Sequence, residues 1–121
     1  MQLINERTRT VLARDVELAD SRKARRRGLL GRDRLEPDAA LMLVPCAAVH
    51  TAFMRFSIDV LFLDRDGRVV KMVSGLRPWR VAACVRARSI VELPTGCIAR
   101  CGVVLGDHVY VAPMRQQRWA S

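Results

Sequence analysis

The clearest pattern of apolar and polar positions lies near the middle of the chain. Residues 58–63 are apolar at all positions but one and rich in β-branched and aromatic side chains, which is typical of a buried strand. Residues 64–67 read Asp-Arg-Asp-Gly, and Gly67 can take the positive φ that a hairpin loop requires. Alternation resumes over residues 68–73. The pattern predicts a β-hairpin in which residues 59–63 pair antiparallel with residues 68–73.

Shorter segments of the same kind flank this hairpin. Partial alternation over residues 3–19 predicts one or two partly exposed strands. Residues 41–44 and 90–93 are predicted strands that end at proline, and residues 108–112 form the last predicted strand. Residues 81–85 are either a short strand or an irregular segment. Most of the chain is therefore expected to be extended.

Two short helices interrupt the strands. Ser21 can cap a helix over the following turn, and the arginines at 25–27 favour its C-terminal end through the helix dipole. Gly28 or Gly31 can end it. The arginines would either hold a phosphate or face water, and charge runs on short helices usually face water. A second helical turn is predicted within residues 95–102.

About seven short strands and one or two short helices predict a mainly β fold, either a compact antiparallel barrel or a sandwich. A chain of 121 residues is long enough for one hydrophobic core and too short for two. Residues 1–121 are therefore predicted to form a single domain. Residues 114–121 are predicted to be a frayed tail.

Four segments carry a resemblance to a known family. They are GLLGR at 28–32, IDVLFLDRDGRVV at 58–70, ELPTG at 92–96 and LGDHVYV at 105–111. Together, and in this order, they resemble the bacterial domain-of-unknown-function family 192 over about residues 10–112. The resemblance implies a compact, mainly β domain with no established activity, so there are no catalytic residues to transfer.

The chain departs from the family pattern just before the central strand. Many members carry Trp-Met-Lys-Asn-Thr there. An ungapped match to Asp59 places His-Thr-Ala-Phe-Met at residues 50–54 of this chain instead. A role of that Trp or Asn is therefore not carried over.

The chain is strongly basic, with a formal net charge of +9 and a pI near 10.9. Such a charge raises nucleic acid as a partner. The basic residues are spread evenly, however, with 10 in the first 34 positions and 11 in the rest, and 19 of the 21 are Arg. No nucleic-acid-binding motif accompanies them, so we expect the excess to be compositional and nucleic acid to be an unlikely partner.

The sequence predicts a cytoplasmic protein with no membrane segment. Charged residues occupy the N-terminus where a signal peptide needs an apolar segment. The longest apolar stretch, residues 39–49, has 11 residues and contains a proline. This stretch is too short to cross a bilayer.

In that reducing compartment the four cysteines are expected to be free thiols. None of them has C-x-x-C spacing; they are Cys46, Cys84, Cys97 and Cys101. Cys97 and Cys101 share a face of the second helical turn, which is consistent with core packing. Cys46 and His50 have the i, i+4 spacing of two ligands on a helix, but their segment is not helical. We therefore expect no metal and no cofactor.

Candidate binding residues lie where the chain enters the central strand. In an extended chain, Thr51, Arg55 and Asp59 point to the same side, whereas His50 needs a bend to join them. Arg55 would supply charge for an anion, and Asp59 would orient it. In the alternative, Arg55 and Asp59 pair with each other and have a structural role only.

A loop predicted at residues 74–80 completes this candidate site. It holds Trp79 next to Arg80, and an aromatic side chain in a loop can be a binding hot spot or can fold back over the core. The predicted ligand-binding residues are His50, Thr51, Arg55, Asp59, Arg77 and Trp79.

These residues favour a non-enzymatic binding module for a small anionic ligand or a protein partner. A second hypothesis is an enzyme that uses Cys46 or Asp59 together with His50. A third is weak, nonspecific nucleic-acid binding through the arginine-rich surface.

Overall fold

The computed structural model describes residues 1–114, and over these residues it has ten strands and two short helices. The strands are β1 (Gln2–Asn5), β2 (Thr10–Ala13), β3 (Asp15–Ala19), β4 (Ala39–Leu43), β5 (Ala48–His50), β6 (Ile58–Leu63), β7 (Val69–Leu76), β8 (Val81–Ala83), β9 (Ser89–Pro94) and β10 (Val109–Ala112). The helices are α1 (Arg22–Arg27) and α2 (Cys97–Cys101). The mainly β prediction is confirmed.

The strands form three sheets. The largest has the order β3-β4-β9-β6-β7, a second has the order β10-β1-β2, and β5 and β8 form a two-stranded ribbon. All pairs are antiparallel except β3 with β4, which are parallel. The exception arises because α1 lies between β3 and β4 in the chain, and a crossover of this kind brings the second strand back in the same direction. The β3–β4 pair is therefore a parallel exception in a fold whose other strand pairs are antiparallel, as predicted.

The five-stranded sheet is buried on both faces. One face packs against the three-stranded sheet and α2, in a cluster that includes Leu61 of β6 and Val91 of β9. The other packs against the β5–β8 ribbon and the segment after α1, in a cluster that includes Val60 and Ile90. Neighbouring residues of one strand thus enter different clusters, which explains why all of β6 is buried. No sheet closes on itself within the described residues, so the arrangement is sandwich-like rather than a barrel.

The predicted central hairpin is confirmed. Strands β6 and β7 pair antiparallel, and Gly67 in their turn has a φ of 81°. The Asp64 carboxylate accepts hydrogen bonds of 2.9 Å from the backbone N–H groups of Asp66 and Arg68. This turn is therefore fixed by its own side chain.

The loop expected over residues 74–80 begins later than predicted. Strand β7 continues to Leu76, and its register with β6 shifts opposite Asp59. Gly75 has a φ of 62° in this bulge. Glycine in a strand often marks a bulge, so the residue that signalled a loop instead bends a strand.

The helices follow the sequence signals. The Ser21 hydroxyl accepts a hydrogen bond of 3.0 Å from the Ala24 N–H, and the Gly28 N–H donates to the Ala24 carbonyl at the end of α1. Helix α2 ends at Gly102, whose φ is 64°. Residues 3–19 contribute to three strands rather than the one or two predicted. Residues 115–121 of the predicted tail lie outside the described part of the chain.

Helices long and apolar enough to cross a membrane are absent from residues 1–114.

Candidate functional site

The β5–β8 ribbon carries the residues that the sequence singled out. His50 pairs with Val81 at one end of the ribbon. Beyond this end the chain continues into two loops, residues 51–57 and residues 77–80. We call the two loops together with His50 and Val81 the loop surface.

Thr51 is completely buried and connects the two loops. Its backbone N–H donates to the carbonyl oxygen of Arg80 at 2.8 Å, and its carbonyl oxygen accepts from the Trp79 N–H at 3.0 Å. Its hydroxyl donates to the Arg77 carbonyl at 2.6 Å and accepts from the Arg80 N–H at 2.8 Å. Every polar atom of Thr51 is used inside the protein. Thr51 therefore positions the loops.

Phe53 and Trp79 form an aromatic pair on the loop surface. Their ring centroids are 4.5 Å apart at an interplanar angle of 61°. They remain 73% and 60% exposed. Both have a left-handed backbone, with φ of 64° and 62°. This conformation is rare outside glycine and costs about 1–2 kcal/mol per residue, so the hydrogen bonds of Thr51 hold two strained loops in place.

The same two loops are cationic. They contain Arg55, Arg77 and Arg80, all exposed, and no acidic residue. Arg55 Nη1 donates to Asp33 Oδ1 at 2.6 Å, and both side chains are largely in water. Exposed ion pairs contribute only about 0–1 kcal/mol, so Arg55 can exchange this partner for another anion.

Asp59 lies in the core and not on the loop surface. Its Oδ1 accepts from the Gly75 N–H at 2.9 Å, and its Oδ2 accepts from the N–H groups of Gly96 at 3.1 Å and Ile98 at 2.9 Å. Gly96 is the N-cap of α2 and has no side chain to cap the helix. A carboxylate at a helix N-terminus is stabilised by the helix dipole. Asp59 thus joins the β7 bulge to α2.

The predicted shared face of Thr51, Arg55 and Asp59 is wrong, because residues 51–57 form turns and not a strand. The structural alternative of a direct Arg55–Asp59 pair is also wrong, since Arg55 pairs with Asp33. The structure separates the six predicted residues into two groups. Four of them are exposed on the loop surface: His50, Arg55, Arg77 and Trp79. The other two are buried, Thr51 under the two loops and Asp59 in β6.

A cleft lies next to the loop surface, between α1 and the ribbon, with a volume of about 70 Å³. Cys46, His50 and Glu92 all line it. Cys46 Sγ donates to the Ala48 carbonyl at 3.2 Å. Residues 1–114 contain no group of three or more His, Cys, Asp or Glu side chains placed to hold a metal ion. The proximity of Cys46 and His50 therefore does not extend to a metal centre in the described part of the chain.

Glu92 is a functional candidate that the sequence interpretation missed. It lies on β9 opposite Val60, is only 5% exposed, and its Oε2 has no hydrogen-bond partner among the described residues. Burial raises the pKa of Glu92 to about 7, although the charge of Arg32 opposes the increase. The sequence did contain a signal for Glu92. It is two residues from Ile90 in a predicted strand, so its carboxyl group lies on the same face as an apolar side chain.

Phe53 was missed for a related reason. In the expected alternation it falls on the same side as Thr51 and Arg55, where a large apolar side chain is out of place. That mismatch was the signal for an exposed aromatic residue.

Comparison with known proteins gives relatives but no activity. The UPF0127 protein PH1112 of Pyrococcus horikoshii is 36% identical over 114 residues, covering 88% of this chain and 96% of its own. The UPF0127 protein TK1120 of Thermococcus kodakarensis is 31% identical over 98% of this chain and 78% of its own. These relatives are archaeal, so the expectation of a bacterial family is not supported.

Solved structures with a similar fold exist. A protein of unknown function from Novosphingobium aromaticivorans aligns with a TM-score of 0.79 and 22% identity, over 91% of this chain and 82% of its own. A candidate transcription regulator from Sinorhizobium meliloti aligns with a TM-score of 0.76 and 22% identity, over 90% and 89%. At this identity the likeness shows the fold alone. The family model of DUF192, described as "Uncharacterized ACR, COG1430", matches residues 3–111, and the chain belongs to this family.

Proposed function

We propose that this domain is a non-enzymatic binding module whose loop surface recognises an acidic segment of a protein partner. The observation that carries the proposal is the exposed Phe53–Trp79 pair, held on left-handed backbone by Thr51. Strained, non-glycine backbone concentrates at binding sites, where the surrounding structure maintains it. Leaving a large apolar side chain in water also forgoes about 1.5–3 kcal/mol of burial. A bound partner would recover part of both costs.

The composition of the loop surface supports a protein partner. Trp and Arg are enriched among residues that dominate binding energy at protein interfaces. Here Trp79 lies between Arg77 and Arg80 in sequence, with the exposed Val81 following. Three arginines without an acidic residue in the loops favour carboxylates on the partner.

The geometry of Asp59 supports a binding role over an enzyme that uses this carboxylate. Both of its oxygens accept hydrogen bonds from backbone N–H groups in the core. An acid or base must reach its substrate directly or through one water.

The cytoplasm stays the predicted compartment for the interaction.

Selection from a displayed library of acidic peptides tests the proposal. We expect enriched peptides to bind the wild-type domain and to lose at least about tenfold in affinity with Trp79→Ala or Phe53→Ala, as for hot-spot residues. Tyr110→Ala is the control, since Tyr110 is an exposed aromatic residue on β10 of another sheet. Peptides that bind both loop variants as well as the wild type would overturn the proposal.

Two further measurements separate the other hypotheses. A thermal-shift panel of anionic metabolites, with wild type and Arg55→Ala, tests a small anionic ligand at the same surface. Mixed-sequence oligonucleotides titrated at several salt concentrations test nucleic acid, for which affinity falls steeply with salt. Selective binding in either assay, together with no peptide enrichment, would replace the protein partner by that ligand.

A further inference from the structure

Glu92 is buried without a hydrogen-bond partner among residues 1–114, and these residues offer no internal reason for it. It stands in the middle of β9, paired with Leu41 of β4 and Val60 of β6, and points toward an apolar cluster. Its Oε2 is inaccessible and has no hydrogen bond within residues 1–114. An unsatisfied buried polar atom destabilises the fold, so each one in a native protein calls for an explanation. The buried carboxylate of Asp59, in contrast, is fully satisfied.

Glu92 lines the cleft between α1 and the ribbon. The buried lining of the cleft is apolar apart from Glu92 and consists of Leu29, Leu43, Val49 and Met54. Its exposed lining consists of Arg26 and Arg27 of α1 with Ala48 and His50 of β5, and the half-buried Arg25 adds a further positive charge. The cleft therefore has a single acidic group inside and a cationic rim outside, with aliphatic walls between them.

The cleft has room for a small organic molecule. A water molecule needs about 10–15 Å³ of cavity measured in this way. The volume of about 70 Å³ therefore corresponds to several water-sized groups. Glu92 and the arginines of α1 line the same cleft, so a ligand in it can meet both a carboxyl group and a guanidinium group.

We propose that this cleft binds a small aliphatic amino acid, with its ammonium group hydrogen-bonded to the Glu92 carboxylate and its carboxylate at the Arg26–Arg27 rim. A cation alone would meet the positive rim, and an anion alone would leave the carboxyl group of Glu92 unpaired. Only a molecule with both charges complements both ends. The cleft shares His50 and Met54 with the loop surface. The proposed contacts at Glu92 and at Arg26–Arg27 lie outside that surface, so the proposal does not depend on the peptide-binding role.

Binding changes the protonation of Glu92. Because burial raises the pKa of this carboxyl group to about 7, part of the population is neutral near neutral pH. An ammonium group favours the charged carboxylate. The charged and titratable groups around the site are Arg25, Arg26 and Arg27 of α1, Cys46, His50 of β5, and Arg32 after α1. Affinity is therefore expected to rise as the pH increases through 7.

Calorimetric titration with matched probes tests the proposal. The probes are glycine, β-alanine and γ-aminobutyrate, with acetate, propionate and butyrate lacking the amine, and n-butylamine lacking the carboxylate. We expect at least one amino acid to bind with a Kd of about 1 mM or tighter, and its single-charge analogues to bind at least about tenfold more weakly. Binding should be stronger at pH 8 than at pH 6.

Variants assign the effect to the cleft. Glu92→Gln is expected to weaken the amino acid at least about tenfold and remove the preference over the amine-free acid. Arg26→Ala is expected to weaken it as well, whereas Trp79→Ala, on the loop surface, is expected to leave it unchanged. Absence of binding by all three amino acids, equal binding of the amine-free acids, or no effect of Glu92→Gln would overturn the proposal. Since Trp79→Ala separates the two sites, failure here leaves the loop-surface test unaffected.

Discussion

Asp59 Oδ2 accepts a hydrogen bond of 2.9 Å from the backbone N–H of Ile98, and through it the central strand caps helix α2. The same carboxylate accepts from Gly96 and from Gly75 in the bulge of β7. Three structural elements that are distant in sequence therefore meet at one side chain.

Replacing Asp59 by Asn should destabilise the fold strongly. Asn presents an NH₂ group to backbone N–H donors, so at least one buried donor loses its acceptor, and we expect a decrease in unfolding free energy of about 2–4 kcal/mol. Urea unfolding followed by circular dichroism measures it. Asp33→Asn is the control, because Asp33 pairs with Arg55 in water and should change stability by less than about 1 kcal/mol. Equal effects of the two variants would contradict the structural role of Asp59.

Gly67 requires both its conformation and its missing side chain. Its φ is 81°, and a Cβ atom there would lie 2.8 Å from the carbonyl oxygen of Val109. Gly31 has a similar φ of 83°, and no atom of residues 1–114 lies within 4 Å of such a Cβ. Gly31→Ala should therefore show the strain of the left-handed backbone alone, about 1 kcal/mol, and Gly67→Ala should cost at least about 1 kcal/mol more.

Gly67→Val should be worse still, because a β-branched residue resists positive φ. Thermal melting of the three variants gives the order. If Gly67→Ala and Gly31→Ala have the same melting temperature, the close approach of β10 to the hairpin turn does not limit stability.

The sequence predicted best the structural features that depend on residues close together in the chain. The hairpin turn at Asp64 and Gly67 and the cap at Ser21 each depend on contacts within a few positions, so their residue types were sufficient. The parallel pairing of β3 with β4 and the β7 bulge depend on strands that are far apart in the chain. Local patterns carry no information about those partners.

The candidate site shows the same division. The sequence offered Arg55 as a partner of Asp59, but the donors to Asp59 are backbone groups of distant elements and could not be read from its neighbours. Trp79 was identified through its loop. Its pairing with Phe53 depends on the two loops that Thr51 brings together, and so could not be read from either loop alone.

The cysteines are expected to remain reduced, and Cys97 to be unreactive in the folded protein. Cys97 is fully buried, and burial together with the nearby Cys101 raises its pKa to about 12. The two sulfur atoms are 3.9 Å apart, well beyond the S–S bond length of about 2 Å. Because the thiolate is the reactive form, alkylation at neutral pH should modify Cys97 only after unfolding.

Mass spectrometry checks both statements. The native mass without reductant should match four thiols, and peptide mapping after brief iodoacetamide treatment should find Cys97 unmodified. A mass lower by about two units would indicate a disulfide. The half-buried Cys46 and Cys84 serve as internal references in the same sample.

Asp107 should make stability depend on acidity. Its carboxylate accepts from Arg7 Nε at 2.6 Å, Asn5 Nδ2 at 2.8 Å and the Val104 N–H at 2.9 Å. The Arg7 hydrogen bond is the main cause that lowers the pKa of Asp107 from 3.8 to about 2. A carboxylate with a lowered folded pKa contributes its stability above the unfolded pKa and loses it as the pH falls through the folded one.

Asp107→Asn is therefore expected to lower the unfolding free energy near neutral pH by about 2 kcal/mol. The difference from wild type should shrink as the pH falls from about 4 to about 2. Denaturant titrations at a series of pH values measure it. A difference that stays constant over this interval would mean that the charge of Asp107 does not contribute.

Glu92 should show the opposite dependence. Burial raises its pKa from 4.5 to about 7, so the folded protein favours the protonated form and ionisation costs stability. This penalty is absent below the unfolded pKa, grows as the pH rises from about 4.5 to about 7, and is complete above the folded pKa. The charge of Arg32 reduces this penalty without removing it.

Glu92→Gln is therefore expected to raise the unfolding free energy above pH 7, by up to about 3 kcal/mol, and to change it little below about pH 4.5. Glu36→Gln, at an exposed glutamate, should show no such trend. If Glu92→Gln is less stable than wild type at pH 8, Glu92 is ionised and paired in the folded protein. A saturating concentration of the amino acid should bring the unfolding free energy of the wild type closer to that of the variant at that pH. The reason is that the ammonium group of the ligand compensates the buried charge of Glu92.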